Sequence, residues 1–158
     1  MVKLATADNP YFSTTDIELA RPNKSYSIDT IRYFRERHPG VLFFILGSDA
    51  FVEIETWWEF KNLFALCHFV VMTRPGFQKA LASSPLPRPV APLFRYDEKG
   101  KAWVHPSGHT LHFKEITVLD ISSTKIRELV EKGESIRFLV PGRVEAYVRD
   151  HGLYRASR

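Results

Sequence analysis

Two short apolar runs constrain this chain more than anything else in it: Val41-Leu42-Phe43-Phe44-Ile45-Leu46 and His68-Phe69-Val70-Val71-Met72-Thr73. Neither alternates apolar with polar residues. Continuous apolar runs of this length are what strands covered on both faces of a parallel sheet look like. The stretch between them carries helical signals. Thr56 and Glu59 have the T-x-x-E spacing of a capping box, and Phe60, Leu63 and Phe64 supply an apolar face behind it. Buried parallel-type strands alternating with helices make an α/β, doubly wound sheet the expected fold class.

The rest of the chain reads onto that plan. Met1 to Ala7 reads as the end of a helix, broken before Pro10, and Ile17-Glu18-Leu19 as a short strand ahead of Arg21-Pro22. Ser27 is a candidate N-cap for a helix carrying Ile28, Ile31 and Phe34, stopped by Pro39-Gly40. Pro85, Pro87, Pro89 and Pro92 make 77–92 a loop. Residues 93–113 suggest hairpins around Glu98-Lys99-Gly100 and Pro106-Ser107-Gly108. A further strand over 116–121 leads into a helix that starts at Ser123 and ends near Gly133. Pro141 opens a last helix, with Val144, Tyr147 and Val148 on one face and Gly152 beyond it. There is no internal repeat, and 1–158 is expected to be a single domain.

Composition narrows the partners. With 158 residues, 44% hydrophobic and 25% charged, the chain is an ordinary soluble globular domain. Its single cysteine, Cys67, cannot form an internal disulfide and reads as a small buried hydrophobe, which fits a reducing cytoplasm. Met1 to Pro10 is mixed in polarity, unlike a signal segment, and the apolar runs are too short to span a bilayer. A net charge of +4 suits an anionic ligand. The basic residues are scattered, with no dense block and no interleaved aromatic stripe, so neither nucleic acid nor a membrane is an expected partner.

In doubly wound sheets ligands bind at the carboxyl ends of strands. Three such ends carry polar groups: Gly47-Ser48-Asp49, Thr73-Arg74 and Ser122-Ser123. Asp49 suits ribose hydroxyls, with Gly47 letting a ligand approach the backbone; it equally suits a plain turn that caps the next helix. Arg74 before Pro75-Gly76 suits a phosphate, or is an exposed loop cation. Trp57 and Trp58 point in different directions, so one can pack while the other offers a flat face to an aromatic ring. The helix start beside them has free N–H groups for that ring's carboxylate. His105, His109 and His112 have no carboxylate or cysteine at metal-type spacing, and a zinc site is not expected.

Ile121-Ser122-Ser123-Thr124-Lys125-Ile126-Arg127 is the least ordinary segment. Hydroxyls at a helix start are common caps, but cations in a first turn oppose the macrodipole by roughly 0.3–1 kcal/mol each. An anion bound there would offset that. Free N–H groups, hydroxyls and an arginine at one turn make a phosphate site, and the flanking strand ends favour this over a capped helix alone.

Taken together and in this order, several segments resemble the bacterial nicotinate-nucleotide adenylyltransferase family. They are Leu4-Ala5-Thr6-Ala7-Asp8, Ser25 to Thr30, Gly47-Ser48-Asp49, Thr56-Trp57-Trp58-Glu59, Arg74-Pro75-Gly76, Ile121 to Arg127 and His151-Gly152-Leu153-Tyr154. The resemblance implies a Rossmann-like nucleotidyltransferase sheet with a small C-terminal helical portion. It also implies a reaction: nicotinate mononucleotide attacks the α-phosphorus of ATP in line and pyrophosphate leaves, with Mg²⁺ and no covalent enzyme intermediate. Carried over by position, Trp57 stacks on the nicotinate ring. The Ser27 hydroxyl and the Trp58 N–H hold its carboxylate, Arg74 approaches its phosphate and Asp49 holds ribose. Gly47, Asp49, Ile121, Ser122, Ser123 and Arg127 form the ATP side. Ser27 replaces the family's usual Thr and Trp58 its frequent Tyr.

The sequence also departs from the family. The family opens with a strand, a Gly-rich turn and an H-x-G-H motif that binds ATP phosphates; residues 1–158 contain no H-x-G-H, so no catalytic histidine is assigned. Met1 falls where the family's helix after the second strand should be, and a truncated chain is the expectation. His105-Pro106-Ser107-Gly108-His109 is only an echo, one residue too long and placed in a hairpin. The chain by itself is therefore expected to show little or no transferase activity, to expose a strand edge, and to self-associate. The alternatives are a non-catalytic nucleotide-binding remnant and a related enzyme such as a pantetheine-phosphate adenylyltransferase. Trp57-Trp58 and Ser25-Tyr26-Ser27 argue against the latter.

Overall fold

The computed structural model describes residues 1–74, 85–117 and 119–155. The chain divides into two compact units, Ile17–Val118 and the combination of Met1–Asp16 with Leu119–Arg158. No helix among the described residues is long and apolar enough to cross a membrane.

The Ile17–Val118 unit is built on one five-stranded sheet. Its strands are β1 (Phe43–Gly47), β2 (His68–Thr73), β3 (Arg95–Asp97), β4 (Ala102–Val104) and β5 (Thr110–Glu115). Their order is β1-β2-β5-β4-β3. β1 and β2 are parallel, as are β2 and β5, whereas β5, β4 and β3 form antiparallel neighbours. The two hairpins expected between 93 and 113 are present, and their last strand doubles as the third parallel strand. Strand 116–121 is not formed among its described residues. β2 stops at Thr73, and the Ile116 N–H donates to the Thr73 carbonyl at 3.1 Å as the last rung available.

Both apolar runs form strands, the first only from Phe43 onward, but neither is covered on both faces throughout. β1 closes one end of the sheet, leaving Phe43 49% and Ile45 59% exposed. In β2, Phe69, Val71 and Thr73 are buried while His68, Val70 and Met72 are only partly so. The buried face packs on α2 (Ser27–Arg37), α3 (Ser48–Val52) and α4 (Phe60–Leu63). Phe64 anchors this core, with ring centroids 4.7 Å from Phe69 and 5.0 Å from Phe94, inside the range where tilted and edge-to-face pairs attract. Cys67 is buried in it, as expected.

Three local expectations need correction. Ile17-Glu18-Leu19 is a turn, not a strand. The turn is pinned to α2 by side chains instead: the Thr30 hydroxyl donates to Glu18 at 2.6 Å and accepts from Arg21 at 3.0 Å. Ser27 is the first residue of α2, and Tyr26 holds the cap position, so the Ser27 hydroxyl makes no cap bond. The T-x-x-E box does not form. The Thr56 hydroxyl donates to the Glu53 carbonyl at 2.8 Å, closing a 3-10 turn over Ile54–Thr56, and Glu59 bonds to Arg32 and Asn62 rather than back to the backbone. Of the loop expected over 77–92, residues 77–84 lie outside the described ones; Ala91–Leu93 forms a 3-10 turn.

The other unit is helical: α1 (Val2–Thr6), α5 (Ser123–Glu131) and α6 (Gly142–Asp150). Ile136, Val144 and Val148 form its core, with Leu4, Ile126 and Leu129 packed against them. α5 ends as its glycine predicts. Gly133 has φ 74°, and the Glu134 N–H reaches back to the Leu129 carbonyl at 2.8 Å.

Candidate functional site

The parallel register of β1 and β2 creates the first constellation. Gly47 pairs with Met72, so the chain leaves both strands at neighbouring carboxyl ends. α3 starts at once, at Ser48. The Asp49 carboxylate folds back over Gly47: a Cβ placed on that glycine would lie 2.5 Å from Asp49 Oδ1. A side chain at position 47 would therefore displace the Asp49 carboxylate from this place. Ser48, Asp49, Val52, Glu53 and Arg74 line one open cleft of about 530 Å³. The structure thus brings together two residues singled out separately in the sequence, Asp49 and Arg74, as an exposed carboxylate and an exposed guanidinium. Glu53 is a lining residue that sequence reading missed. Its i,i+4 relation to Asp49 was the available signal. Pro75 and Gly76 lie outside the described residues.

The second constellation is aromatic. Trp57 is partly buried, its ring near-perpendicular to that of Phe44 at 6.1 Å, which fixes its plane. Trp58 is 59% exposed and faces Tyr26, centroids 5.7 Å apart and planes 33° apart. The two tryptophans do not stand in a helix's first turn. They lie in the turn before α4, closed by the Phe60 N–H donating to the Trp57 carbonyl at 3.2 Å. Neither the Ser27 hydroxyl nor the Trp58 backbone N–H bonds to another group among the described residues, whereas the Trp58 side chain bonds to the Glu59 carboxylate. Both are polar groups open to a ligand.

The third constellation belongs to the helical unit. Ser122 caps α5, its Oγ accepting from the Lys125 N–H at 3.1 Å. A serine hydroxyl has one donor and two acceptor positions, so this bond leaves its O–H free to donate. The Arg127 guanidinium lies along the same turn and donates to Thr124 Oγ1 at 3.3 Å. Ile121, Ser122, Ser123 and Arg127 all line one cavity of about 300 Å³, together with Met1 and Tyr154.

The histidines do something else. His68 Nδ1 and His112 Nε2 each share a hydrogen bond with Thr110 Oγ1, at 2.8 Å. His105 and His109 flank Ser107 Oγ at 2.8 and 2.9 Å, and Arg35 reaches His109 at 3.2 Å. The H-P-S-G-H echo is a hydrogen-bonded hairpin, not a helix start.

The family description Cytidylyltransferase-like matches residues 1–129. Over 155 residues the chain is 44% identical to the "Probable nicotinate-nucleotide adenylyltransferase" of Geobacter sulfurreducens, covering 98% of this chain and 72% of that protein. It is 45% identical to the protein of that name from Geotalea uraniireducens, over 100% of this chain and 74% of that one. The chain belongs to the nicotinate-nucleotide adenylyltransferase family. Its sheet agrees with a nucleotidyltransferase fold. The solved Plasmodium falciparum nicotinic acid mononucleotide adenylyltransferase complexed with NaAD superposes with a TM-score of 0.54 at 22% identity, over 84% of this chain and 58% of that one. The complex of that protein with APC matches at the same TM-score, over 60% of its chain. This chain thus spans under two thirds of the length of those solved chains and about three quarters of the curated family members.

Proposed function

We propose that the chain carries the mononucleotide and ATP surfaces for joining the AMP part of ATP to nicotinate mononucleotide, giving nicotinate adenine dinucleotide and pyrophosphate. The observation that carries this is the cleft at the carboxyl ends of β1 and β2, lined by both Asp49 and Arg74 in a member of this family. In the reaction, a phosphate oxygen of the mononucleotide forms a bond to the α-phosphorus of ATP as the bond from that phosphorus to the bridging oxygen breaks. Pyrophosphate leaves with the electron pair. The protein's task is positioning and charge stabilisation.

On this reading Trp57 stacks on the pyridine ring, and the Ser27 hydroxyl and Trp58 N–H donate to its carboxylate. Arg74 holds the mononucleotide phosphate by paired donors. Asp49 accepts from ribose hydroxyls, and the close packing at Gly47 keeps its carboxylate in place. Ser122, Ser123, the backbone at Ile121 and Arg127 cradle the ATP phosphates. Mg²⁺ would accompany those phosphates, since it habitually keeps its waters and binds through phosphates and one or two carboxylates. When bound, it spreads the phosphates' negative charge. A reducing cytoplasm accords with the lone buried thiol.

One observation favours a narrower reading for this chain by itself. Residues 1–158 hold no H-x-G-H, so binding of mononucleotide without turnover is the expected behaviour. Titration of tryptophan fluorescence with nicotinate mononucleotide tests the assignment. Asp49→Asn and Arg74→Gln are expected to weaken binding at least tenfold each, and binding that survives both changes undiminished overturns the cleft assignment.

A further inference from the structure

Ser27 and Trp58 sit on separate segments, thirty-one positions apart in the sequence, and no backbone hydrogen bond joins the two segments among the described residues. Two side-chain contacts do. The Tyr26 ring faces the Trp58 ring at 5.7 Å. Arg32 on α2 donates to Glu59 Oε2 at 2.8 Å. Each contact comes from the immediate neighbour of a polar group left open: Tyr26 precedes Ser27, and Glu59 follows Trp58.

Glu59 is unusual in its own right. Its φ of 52° and ψ of 36° are left-handed, a region where glycine is at ease and other residues are strained. Yet position 59 carries a carboxylate whose Oε2 is held from two sides, by Arg32 and by Asn62 Nδ2 at 2.8 Å. Those hydrogen bonds, Asn62's first and Arg32's next, hold its pKa below the usual glutamate value. The strain is retained where the chain turns directly after Trp58. Tyr26 and Trp58 are both exposed, so their contact buries little and contributes chiefly by fixing where two backbones stand.

We propose that Tyr26 and Glu59 are positioning residues that set the separation of the Ser27 hydroxyl from the Trp58 N–H, and so the preference for a pyridine ring bearing a carboxylate over one bearing an amide. This rests on the mononucleotide reading above. Two donors at a fixed separation match the two oxygens of a carboxylate; an amide offers one oxygen and an NH₂ that would meet a donor. The ring contact and the ion pair form a strap between α2 and the tryptophan turn.

Calorimetry with nicotinate mononucleotide and nicotinamide mononucleotide tests this on the full chain. Tyr26→Ala is expected to weaken the acid about tenfold while shifting the amide less than twofold, and Tyr26→Phe, which keeps the ring, is expected to restore it. A merely structural loss would weaken both ligands alike. Glu59→Gln separates positioning from simple charge. It frees the Arg32 cation, so a purely electrostatic role predicts tighter acid binding, whereas the strap predicts weaker. Hydrogen exchange on the unliganded chain is expected to quicken over 26–30 and 57–62 in both Tyr26→Ala and Glu59→Gln. Unchanged exchange, equal loss of both ligands, or tighter acid binding in Glu59→Gln overturns the strap. No binding by the wild type overturns the mononucleotide reading and the selectivity role with it, while the exchange result still reports on the strap.

Discussion

Asp49 and Gly47 show how much of the site rests on single atoms. An alanine at 47 would put its Cβ against the Asp49 carboxylate, a side-chain end that can rotate away. Gly47→Ala is therefore expected to leave stability within about 0.5 kcal/mol. It should weaken nicotinate mononucleotide about tenfold, or about 1.4 kcal/mol, through the displaced carboxylate. Thermal unfolding and a binding titration on one sample check both halves; unaltered affinity would remove Asp49 from the site. Cys67 makes the opposite kind of prediction. Burial pushes its thiol up to about 12, so the folded protein should resist iodoacetamide at pH 8 and react only when unfolded. At this scale the sequence was informative at strand ends: Asp49 and Arg74, singled out separately, line one cleft. It was silent on the pairing of Tyr26 with Trp58 and of Arg32 with Glu59, because these join segments some thirty residues apart and leave no local period or spacing.

At the scale of elements, continuous apolar runs located β1 and β2 because cores are read directly as runs of Val, Ile, Phe and Leu. The third parallel strand was misplaced toward 116–121. There the chain is just as apolar, but β2 has already ended, and strand pairing is a property of two segments rather than one. The capping box failed for a related reason: a carboxylate that finds an arginine and an asparagine has no need of a backbone N–H. The β4–β5 hairpin carries a pH dependence. Burial lowers His105, His109 and His112 below the ordinary 6.5, and neighbouring cations (Arg35 and His68 beside His109, Lys114 and His68 beside His112) add to it. The unfolded chain then binds more protons than the folded one as pH falls through that ordinary value. Stability contributed by the network should be full above about pH 7 and decline from about 6.5 downward. Urea midpoints at pH 7.5, 6.5 and 5.5 should fall in that order, and His109→Asn should flatten part of the fall. A midpoint that rises toward pH 5.5 would contradict this.

The sheet ends in a β1 edge that pairs on one side only among the described residues, with Phe43 and Ile45 exposed on β1 and Val41 exposed just before it. Unpaired apolar edges template association. Light scattering is expected to show concentration-dependent self-association that Ile45→Lys suppresses; a clean monomer across concentrations would count against it. Fold class and family were both legible in the residues, since motif order along the chain is far more specific than any one motif. The division into two compact units was not, because it depends on residues 1–16 packing with residues beyond 118. The most direct test of the functional account is isothermal calorimetry of nicotinate mononucleotide into residues 1–158, with Trp57→Ala as the partner experiment. The account predicts saturable one-to-one binding by the wild type that Trp57→Ala abolishes. No saturable heat from a folded wild-type sample, or binding untouched by Trp57→Ala, would contradict it.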